Sequence, residues 1–185
     1  MKTLKQIGLV ILSAFFVNAS FAQMEKTVMV GGAAMYPSKN IVENAVNSKD
    51  HTTLVAAVKA AGLVETLASA GPFTVFAPVN NAFTLLPSGT VETLLKPENK
   101  SMLSGILTYH VVSGLLNAKI LKKMVKKGNG TAVLTTVAGG KLWVTRENKN
   151  FMIKDEKGSM AQITIKDVMQ SNGVIHVINS VLLPK

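Results

Sequence analysis

The chain has 185 residues, 48% of them hydrophobic, no cysteine and a formal net charge of +10. A chain of this length can bury a core that is stable without disulfides, and the lack of cysteine excludes thiol catalysis. Nearly all the positive charge is lysine, with Arg146 as the one arginine. Lysine favours long-range attraction to anionic surfaces or polymers over the bidentate recognition of bases and phosphates, although the same charge also keeps a protein soluble.

Residues 1–22 have the pattern of a secretory signal peptide. Lys2 and Lys5 precede an apolar run from Ile7 to Val17, which is shorter than the roughly 20 residues that a membrane span needs. The small residues of Ser20-Phe21-Ala22 provide a cleavage pattern. We therefore expect export to the periplasm or the extracellular space, no integral membrane span, and a processed chain of 163 residues with charge +8.

Residues 23–37 are interpreted as an N-terminal tail, and residues 38–185 as a single domain, because neither a linker nor an internal repeat divides them. Asn40, followed three residues later by Glu43, predicts a capping box at the start of the first helix.

Helical spacing of apolar residues dominates the first half of the domain. It predicts a helix from His51 to Ala68 that is broken near Gly62, and a short helix capped by Asn80. Two more helices are predicted, at Thr90–Leu95 and Ser101–His110. The second should bury one stripe of apolar side chains: Met102, Leu103, Ile106 and Leu107.

Alternation with a period of two marks the strands. One strand, Phe73–Pro78, lies among the helices, and an extended segment begins at Val111. From residue 131 onward the predicted strands are Thr131–Val137, Lys141–Thr145, Phe151–Lys154, Ala161–Ile165, Val174–Val177 and Val181–Leu183. Helices followed by a run of strands are typical of an α+β fold.

Three segments resemble, in order, the signature motifs of fasciclin-like domains. The first runs from Thr74 to Phe83 (TVFAPVNNAF), and the second is Tyr109-His110. The third is Asn172–Ile178 (NGVIHVI), followed by Val181-Leu182-Leu183-Pro184. Three ordered motifs are more specific than any one of them, and the resemblance covers about residues 38–185.

The resemblance implies an α+β fold in which a wedge-shaped β-sandwich is flanked by an N-terminal helical layer. It also implies a role in cell adhesion or matrix contact and no enzymatic activity. Members of the family use the Tyr–His motif, and some animal members an Asp–aliphatic pair before the last motif, in adhesion. Tyr109, His110, Asp167 and Val168 occupy these places and are candidate contacts, the last two in an exposed loop.

The residues themselves offer a structural alternative for the Tyr–His motif. Tyr109 and His110 lie where an apolar helix face passes into an extended segment. We expect the imidazole to be partly buried and bonded to backbone, and the phenol to pack its ring while its polar tip stays accessible. His176, within a Val-Ile-His-Val-Ile strand, is interpreted as a hydrogen-bonded strand residue.

Residues 119–127 (KILKKMVKK) predict an amphipathic helix with one cationic face. Its lysines are Lys119, Lys122, Lys123, Lys126 and Lys127. One interpretation is a solvated face above an ordinary core stripe. The other is electrostatic capture of an acidic polysaccharide, a lipopolysaccharide or an anionic envelope surface.

Several kinds of chemistry lack their sequence patterns. The chain has no Gly-x-Ser-x-Gly elbow and no phosphate loop, and its histidines (His51, His110 and His176) have no metal-ligand spacing. We predict no cofactor and no metal. With one Trp and two Tyr, the chain also lacks the interleaved aromatic and basic residues of a nucleic-acid surface.

The predicted function is that of an exported, non-catalytic adhesion or envelope-binding module, with a monomer as the expected state. Its partner would be a cell-surface or matrix protein, or an anionic polysaccharide. The alternative is a carrier that holds a pigment or lipid between the helices and the sheet. A hydrolase would require that His110 contact both a carboxylate and a hydroxyl.

Overall fold

The computed structural model describes residues 25–185, so the predicted signal peptide lies outside the described residues. The α-helices of this part are α1 (Ile41–Ala45), α2 (Thr52–Ala61), α3 (Val64–Ala68), α4 (Asn80–Thr84), α5 (Thr90–Leu94), α6 (Lys100–Tyr109) and α7 (Ala118–Lys127). The strands are β1 (Val28–Val30), β2 (Ala33–Met35), β3 (Phe73–Pro78), β4 (Val111–Ser113), β5 (Thr131–Thr135), β6 (Lys141–Glu147), β7 (Asn150–Lys154), β8 (Met160–Gln170) and β9 (Gly173–Ile178). Between residues 25 and 185, no helix is both long and apolar enough to cross a bilayer.

Two local predictions about helix ends are confirmed. Asn40 accepts hydrogen bonds from the Val42 and Glu43 amides, and the Glu43 carboxylate accepts one from the Asn40 amide at 2.7 Å, which completes the capping box. Gly62 ends α2 with a φ of +72°, a left-handed conformation that glycine adopts without steric cost. The chain then continues as α3, which agrees with the predicted helix that is interrupted near Gly62.

The prediction that Asn80 caps its own helix is wrong. Asn80 is the first residue of α4, and its side chain turns to α2 instead. Its Oδ1 accepts from the Thr53 amide at 3.0 Å, and its Nδ2 donates to the Lys49 carbonyl at 2.8 Å. Asn80 of the first motif therefore bonds to backbone groups at the beginning of α2, a helix that lies earlier in the chain. Spacing along the sequence does not reveal such a contact.

Seven strands form one sheet in the order β4-β3-β9-β8-β7-β6-β5. Strands β3 and β9 are parallel, and every other neighbouring pair is antiparallel. Irregular register between Ile163 and Val168 bends the long strand β8. This strand therefore belongs to both halves of the sheet, β4-β3-β9-β8 and β8-β7-β6-β5. At the far edges, the Val137 amide donates to the Val111 carbonyl at 2.7 Å, so the sheet nearly closes.

Two apolar clusters occupy the two sides of this sheet. On one side Val75, Ile175 and Val177 pack against the helices, which contribute buried residues such as Leu54 and Leu107. On the other side the two halves of the sheet enclose a second cluster, whose largest buried members include Phe76, Tyr109, Leu121, Leu142, Ile153, Ile178 and Leu182. Helices therefore cover a wedge-shaped sandwich, which confirms the predicted α+β fold.

The predicted tail contains a hairpin. Strands β1 and β2 pair antiparallel, and Val30 and Met35 are buried in the helical-side core. The Lys49 amide also donates to the Gly31 carbonyl at 3.1 Å, which fastens the turn of the hairpin to the helices. The domain boundary before residue 38 stays a prediction, but residues 28–35 pack on the same core.

Two predictions about apolar residues are wrong. Val181–Leu183 is not a strand, because its amides donate to side chains of the sandwich rather than to a neighbouring strand. Met102, predicted to be buried, is 60% exposed, whereas Leu103 and Leu107 are buried as expected. Met102 lies one position too early in the turn to share their face of α6.

Candidate contact surfaces

Tyr109 is fully buried at the end of α6. Its hydroxyl donates to the Lys141 carbonyl at 2.8 Å and accepts from the Glu156 amide at 3.0 Å. Burial raises the pKa of the phenol to about 12. The ring also fills the space over Gly140, where a Cβ would come within 2.6 Å of Tyr109. The expectation of an accessible polar tip is therefore wrong, because the hydroxyl joins β6 to the β7–β8 turn.

His110 is also buried, and both of its ring nitrogens bond to backbone. Nδ1 lies 2.8 Å from the Ile106 carbonyl, and Nε2 accepts from the Leu182 amide at 2.9 Å. These partners require a neutral ring protonated at Nδ1. Burial lowers the pKa of this imidazole to about 4. Among residues 25–185, neither a carboxylate nor a hydroxyl bonds to the ring, which opposes a role for His110 as the base of a hydrolase.

The C-terminal segment is fastened by side chains of the sandwich. The Leu182 amide bonds to His110, and the Leu183 amide donates to an Asp155 carboxylate oxygen at 2.9 Å. Asp155 is itself buried and accepts from the Ser159 amide through its other oxygen. The Tyr–His motif and the last motif are thus neighbours in space, where they hold helix α6, the β7–β8 turn and the C-terminal segment together.

Asp167 and Val168 lie within strand β8, not in an exposed loop as predicted. Val168 is 1% exposed and belongs to the core on the helical side. Asp167 sits at the irregularity of β8 with a φ of +60°, and its carboxylate accepts from the Ala118 amide at 2.6 Å. Because Ala118 is the first residue of α7, the negative charge meets the positive end of that helix.

His176 connects the same place to the core. Its Nδ1 accepts from the Asp167 amide at 3.3 Å, and its Nε2 lies 2.8 Å from the Leu116 carbonyl. The ring is completely buried and stacks on Phe76, with 5.9 Å between the ring centroids. Burial lowers the pKa of the imidazole, so the neutral form is favoured. The interpretation of His176 as a hydrogen-bonded strand residue is confirmed.

Helix α7 presents the cationic face that the sequence predicts. Its buried side packs Leu121 and Val125 into the sandwich core. All five predicted lysines are exposed: Lys119, Lys122, Lys123, Lys126 and Lys127. Asn117 caps the helix by accepting from the Ile120 amide at 3.0 Å. We call these five lysines the basic face; with about 1.5 Å per residue, they span about 12 Å of helix axis.

An apolar cavity of about 60 Å³ lies between the N-terminal hairpin, helices α1 to α3 and the sheet. It is lined mostly by aliphatic residues, together with His51, Phe76, His110 and Lys59. The His51 Nδ1 bonds to the Ser48 hydroxyl, whereas its buried Nε2 has no partner that meets hydrogen-bond geometry among residues 25–185. No group of His, Asp or Glu residues within that same range could hold a metal ion.

Sequence reasoning missed Trp143, the single tryptophan of the chain. It lies on β6 between the buried residues Leu142 and Val144, on the outer face of the sandwich. Trp143 lines an open groove of about 580 Å³ with Thr131, Thr145 and residues of the β7–β8 turn. The alternation of Leu142, Trp143 and Val144 already places the indole on the polar face of the strand, so the signal was present.

The fold and the motif positions define an α+β domain in which the three motifs fasten the helices and the C-terminal segment to the sandwich. Comparison with known proteins identifies the family. The model of the Fasciclin domain matches residues 49–184. The chain belongs to the fasciclin domain family, which is known for cell-adhesion and extracellular-matrix proteins and is generally non-enzymatic.

Relatives of very different length share this domain. Protein sll1483 of Synechocystis is 48% identical over 168 residues, which cover 90% of this chain and 85% of that protein. Transforming growth factor-beta-induced protein ig-h3 of Sus scrofa is 42% identical over 132 residues, 71% of this chain but 17% of that protein. Periostin of Homo sapiens is 30% identical over 146 residues, 79% of this chain and 16% of that protein.

A solved structure shows the same fold. The FAS1 domain pair of the insect cell adhesion molecule Fasciclin I matches with a TM-score of 0.71, covering 80% of this chain and 52% of that chain. At 20% sequence identity this likeness establishes the fold alone. It agrees with the wedge-shaped sandwich and the helical layer described above.

Proposed function

We propose that this protein is an exported, non-catalytic adhesion domain that binds anionic polymers of a cell envelope or matrix through the basic face. The observation that carries this proposal is the exposure of five lysines on one helix, within about 12 Å of each other along its axis. This length is close to the screening length of about 8–10 Å at moderate salt, so the charges attract a polyanion together. Export to the periplasm or the exterior, predicted from residues 1–22, is part of the same proposal.

The frame beneath the basic face supports the proposal. Helix α7 is fixed at its start by Asn117 and Asp167 and along its length by Leu121 and Val125. The lysine stems therefore project from a rigid support, and binding does not require the helix to order first. Lys126 and Lys127 also lie in the last turn, where positive charge stabilises a helix, so part of their role is structural.

The Tyr–His motif and the Asp167–Val168 pair have a positioning role in this proposal. Tyr109, His110 and Val168 are buried, so direct contact with a partner would require the domain to open. Asp167 reaches the start of α7, so changes at this residue affect adhesion through the helix. The other binding partner to test is a protein of the cell surface or the matrix.

A carrier of pigments or lipids has less support. The apolar cavity has a volume of about 60 Å³, whereas pockets that bind small organic ligands measure roughly 300–1,000 Å³. Mass spectrometry of the native protein tests this alternative, since a carrier would retain extractable lipid or colour.

The test of the basic face is binding of residues 23–185 to immobilised polygalacturonate at low and physiological salt. We expect binding that weakens with salt and falls by at least about tenfold when Lys122, Lys123, Lys126 and Lys127 are replaced by Gln. The matched control replaces four other exposed lysines by Gln: Lys49, Lys96, Lys100 and Lys166. Both variants lose the same charge, so equal losses would contradict a local site, and unaltered binding in the α7 variant would overturn the proposal.

A further inference from the structure

The half-sheet β8-β7-β6-β5 buries one of its two faces in the sandwich. Alternate residues such as Leu142 and Val144 point into the core, and the residues between them point outward. Two of the outward side chains are large, apolar and exposed: Val133 on β5 is 51% exposed, and Met160 at the start of β8 is 44% exposed. Exposed apolar side chains that join into one patch mark an interaction site.

The register of the strands places these two side chains at the ends of one row. Val133 lies opposite Trp143, and Trp143 lies opposite Lys154. Lys154 in turn lies opposite Met160. The row crosses four neighbouring strands, so three spacings of about 4.8 Å give it a length of about 14 Å. We call these four residues the outer row.

The charges around the outer row are of both signs. Lys154 and Lys157 are exposed, and so is Glu147 at the end of β6. Two further carboxylates, those of Asp155 and Glu156, accept hydrogen bonds from backbone amides. A polyanion or a polycation would meet both attraction and repulsion on such a surface. A partner with the same mixture of charges can match it, and a second copy of this chain is such a partner.

The outer row is complementary to itself when its direction is reversed. A two-fold axis in the plane of the interface, parallel to the strands and between β6 and β7, makes two copies of the row face each other in opposite order. Val133 then packs on the partner's Met160. Trp143 meets the partner's Lys154, whose ammonium group is attracted to the indole face while its stem covers the ring. Sheets that pack face to face stay within about 30° of alignment, so these central residues remain opposite each other.

The remaining outward residues of β6 and β7 are compatible with the same axis. Thr145 lies opposite Met152, and both are half-buried. The axis therefore brings Thr145 against the partner's Met152, which adds an apolar contact next to the outer row. Glu147 lies opposite Asn150, so its carboxylate meets the partner's Asn150 amide, which can donate a hydrogen bond to it. The arrangement thus brings no two like charges together between β6 and β7.

The size of this face predicts weak association. Four strands of about 4.8 Å width and five residues of about 3.4 Å rise give a footprint of roughly 320 Å² on each copy. Stable interfaces bury about 800 Å² on each partner, so we expect a dissociation constant of about 0.1 mM. The monomer that the sequence predicts is then the form at low concentration.

We infer that the outer face of β5 to β8 is the interface of a weak two-fold dimer of this chain, with Val133 against the partner's Met160 and Trp143 against the partner's Lys154. This inference goes beyond the proposed function and does not depend on it. A dimer carries two basic faces, and two joined sites bind one polymer more tightly than either site alone.

Sedimentation velocity of residues 23–185 tests the dimer at protein concentrations from about 10 µM to about 1 mM, on both sides of the expected dissociation constant. We expect the average mass to rise toward twice that of the monomer. Emission from Trp143, the single tryptophan, should shift to shorter wavelength over the same range, because the indole leaves water. A mass that stays monomeric up to about 1 mM would overturn the inference and leave a different protein as the occupant of this face.

A single substitution locates the interface. Val133→Glu should weaken the dimer at least about tenfold, because it places a carboxylate against the apolar side chain of the partner's Met160. The matched control is Leu85→Glu, which adds the same charge at an exposed apolar residue next to α4 and should leave the association unchanged. Urea denaturation checks that both variants are folded. Unaltered association in Val133→Glu, or an equal loss in both variants, would reject this face as the interface.

A charge pair tests the reversed order of the two rows. Met160→Lys alone should also weaken the dimer, since it places an ammonium group against the partner's Val133. The double variant Val133→Glu with Met160→Lys should recover most of the association, because each glutamate then faces a lysine of the partner. Within one chain the two positions lie at opposite ends of the outer row, about 14 Å apart, so they cannot pair in the monomer. Failure of the double variant to recover association would overturn the proposed arrangement.

Discussion

Tyr109 stabilises the domain through its hydroxyl as well as its ring. The hydroxyl bridges the Lys141 carbonyl and the Glu156 amide, and Glu156 in turn accepts from the Lys141 amide. These bonds form a small closed network between β6 and the β7–β8 turn. The network explains the presence of a tyrosine in the Tyr–His motif by its structural role, without contact with a binding partner.

We expect Tyr109→Phe to lower the free energy of unfolding by about 1–3 kcal/mol, because it leaves the partly buried Lys141 carbonyl and Glu156 amide without their partner. Urea denaturation at pH 7.5 measures this loss. The control is Tyr36→Phe at the only other tyrosine, which is 40% exposed. Equal stability of the two variants would contradict the network, and lost adhesion with unchanged stability would make Tyr109 a contact residue.

At the scale of elements, the start of α7 depends on a residue from a distant strand. Asp167 accepts from the Ala118 amide, while its own amide donates to His176 in the neighbouring strand β9. The irregularity of β8 turns the carboxylate toward the helix. The helix that carries the basic face is thus positioned by the strand irregularity that precedes the last motif.

Asp167→Ala should destabilise the domain by about 1–3 kcal/mol, since it removes the acceptor and places alanine at a φ of +60°. Asp167→Asn keeps an acceptor and a residue type that tolerates this conformation, so a loss below about 1 kcal/mol is expected. Thermal and urea unfolding compare the two. Loss of adhesion in a stable Asp167→Asn variant would instead indicate that a partner reads the carboxylate directly.

At the scale of the whole molecule, three buried histidines couple the fold to pH. Burial lowers the pKa of His51, His110 and His176, and the nearby carboxylates of Asp50, Asp155 and Asp167 oppose this effect only partly. An imidazole with a lowered pKa in the folded state contributes full stability above its unfolded value. That stability is lost as the pH falls, because the unfolded chain takes up the proton first.

For His110 the window runs from the ordinary value of 6.5 down to about 4. A shift of this size corresponds to a loss of about 3 kcal/mol across the window. We therefore expect the urea concentration at the midpoint of unfolding to decrease when the pH is lowered from 7.5 to 4.5. His110→Gln should be less stable at pH 7.5 but lose less on acidification, and an equal pH dependence in both proteins would show that His110 titrates normally.

The sequence by itself determined the elements whose signals are local. Period-two alternation placed β3 and β5 to β7 within a few residues, and the capping box at Asn40 and the break at Gly62 were both correct. The amphipathic pattern of α7 also fixed which side is charged, because helical geometry alone assigns its faces. The three ordered motifs identified the family.

Only the tertiary structure decided how these elements are used. It turned Asn80 toward α2, buried the Tyr109 hydroxyl, moved Asp167 from a loop into a bent strand, and made Val181–Leu183 a segment held by side chains. In each case the partner lies far away in the chain, so no spacing reports it. Long-range hydrogen bonds between side chain and backbone depend on the packing of the whole sandwich, which no local pattern of residues encodes.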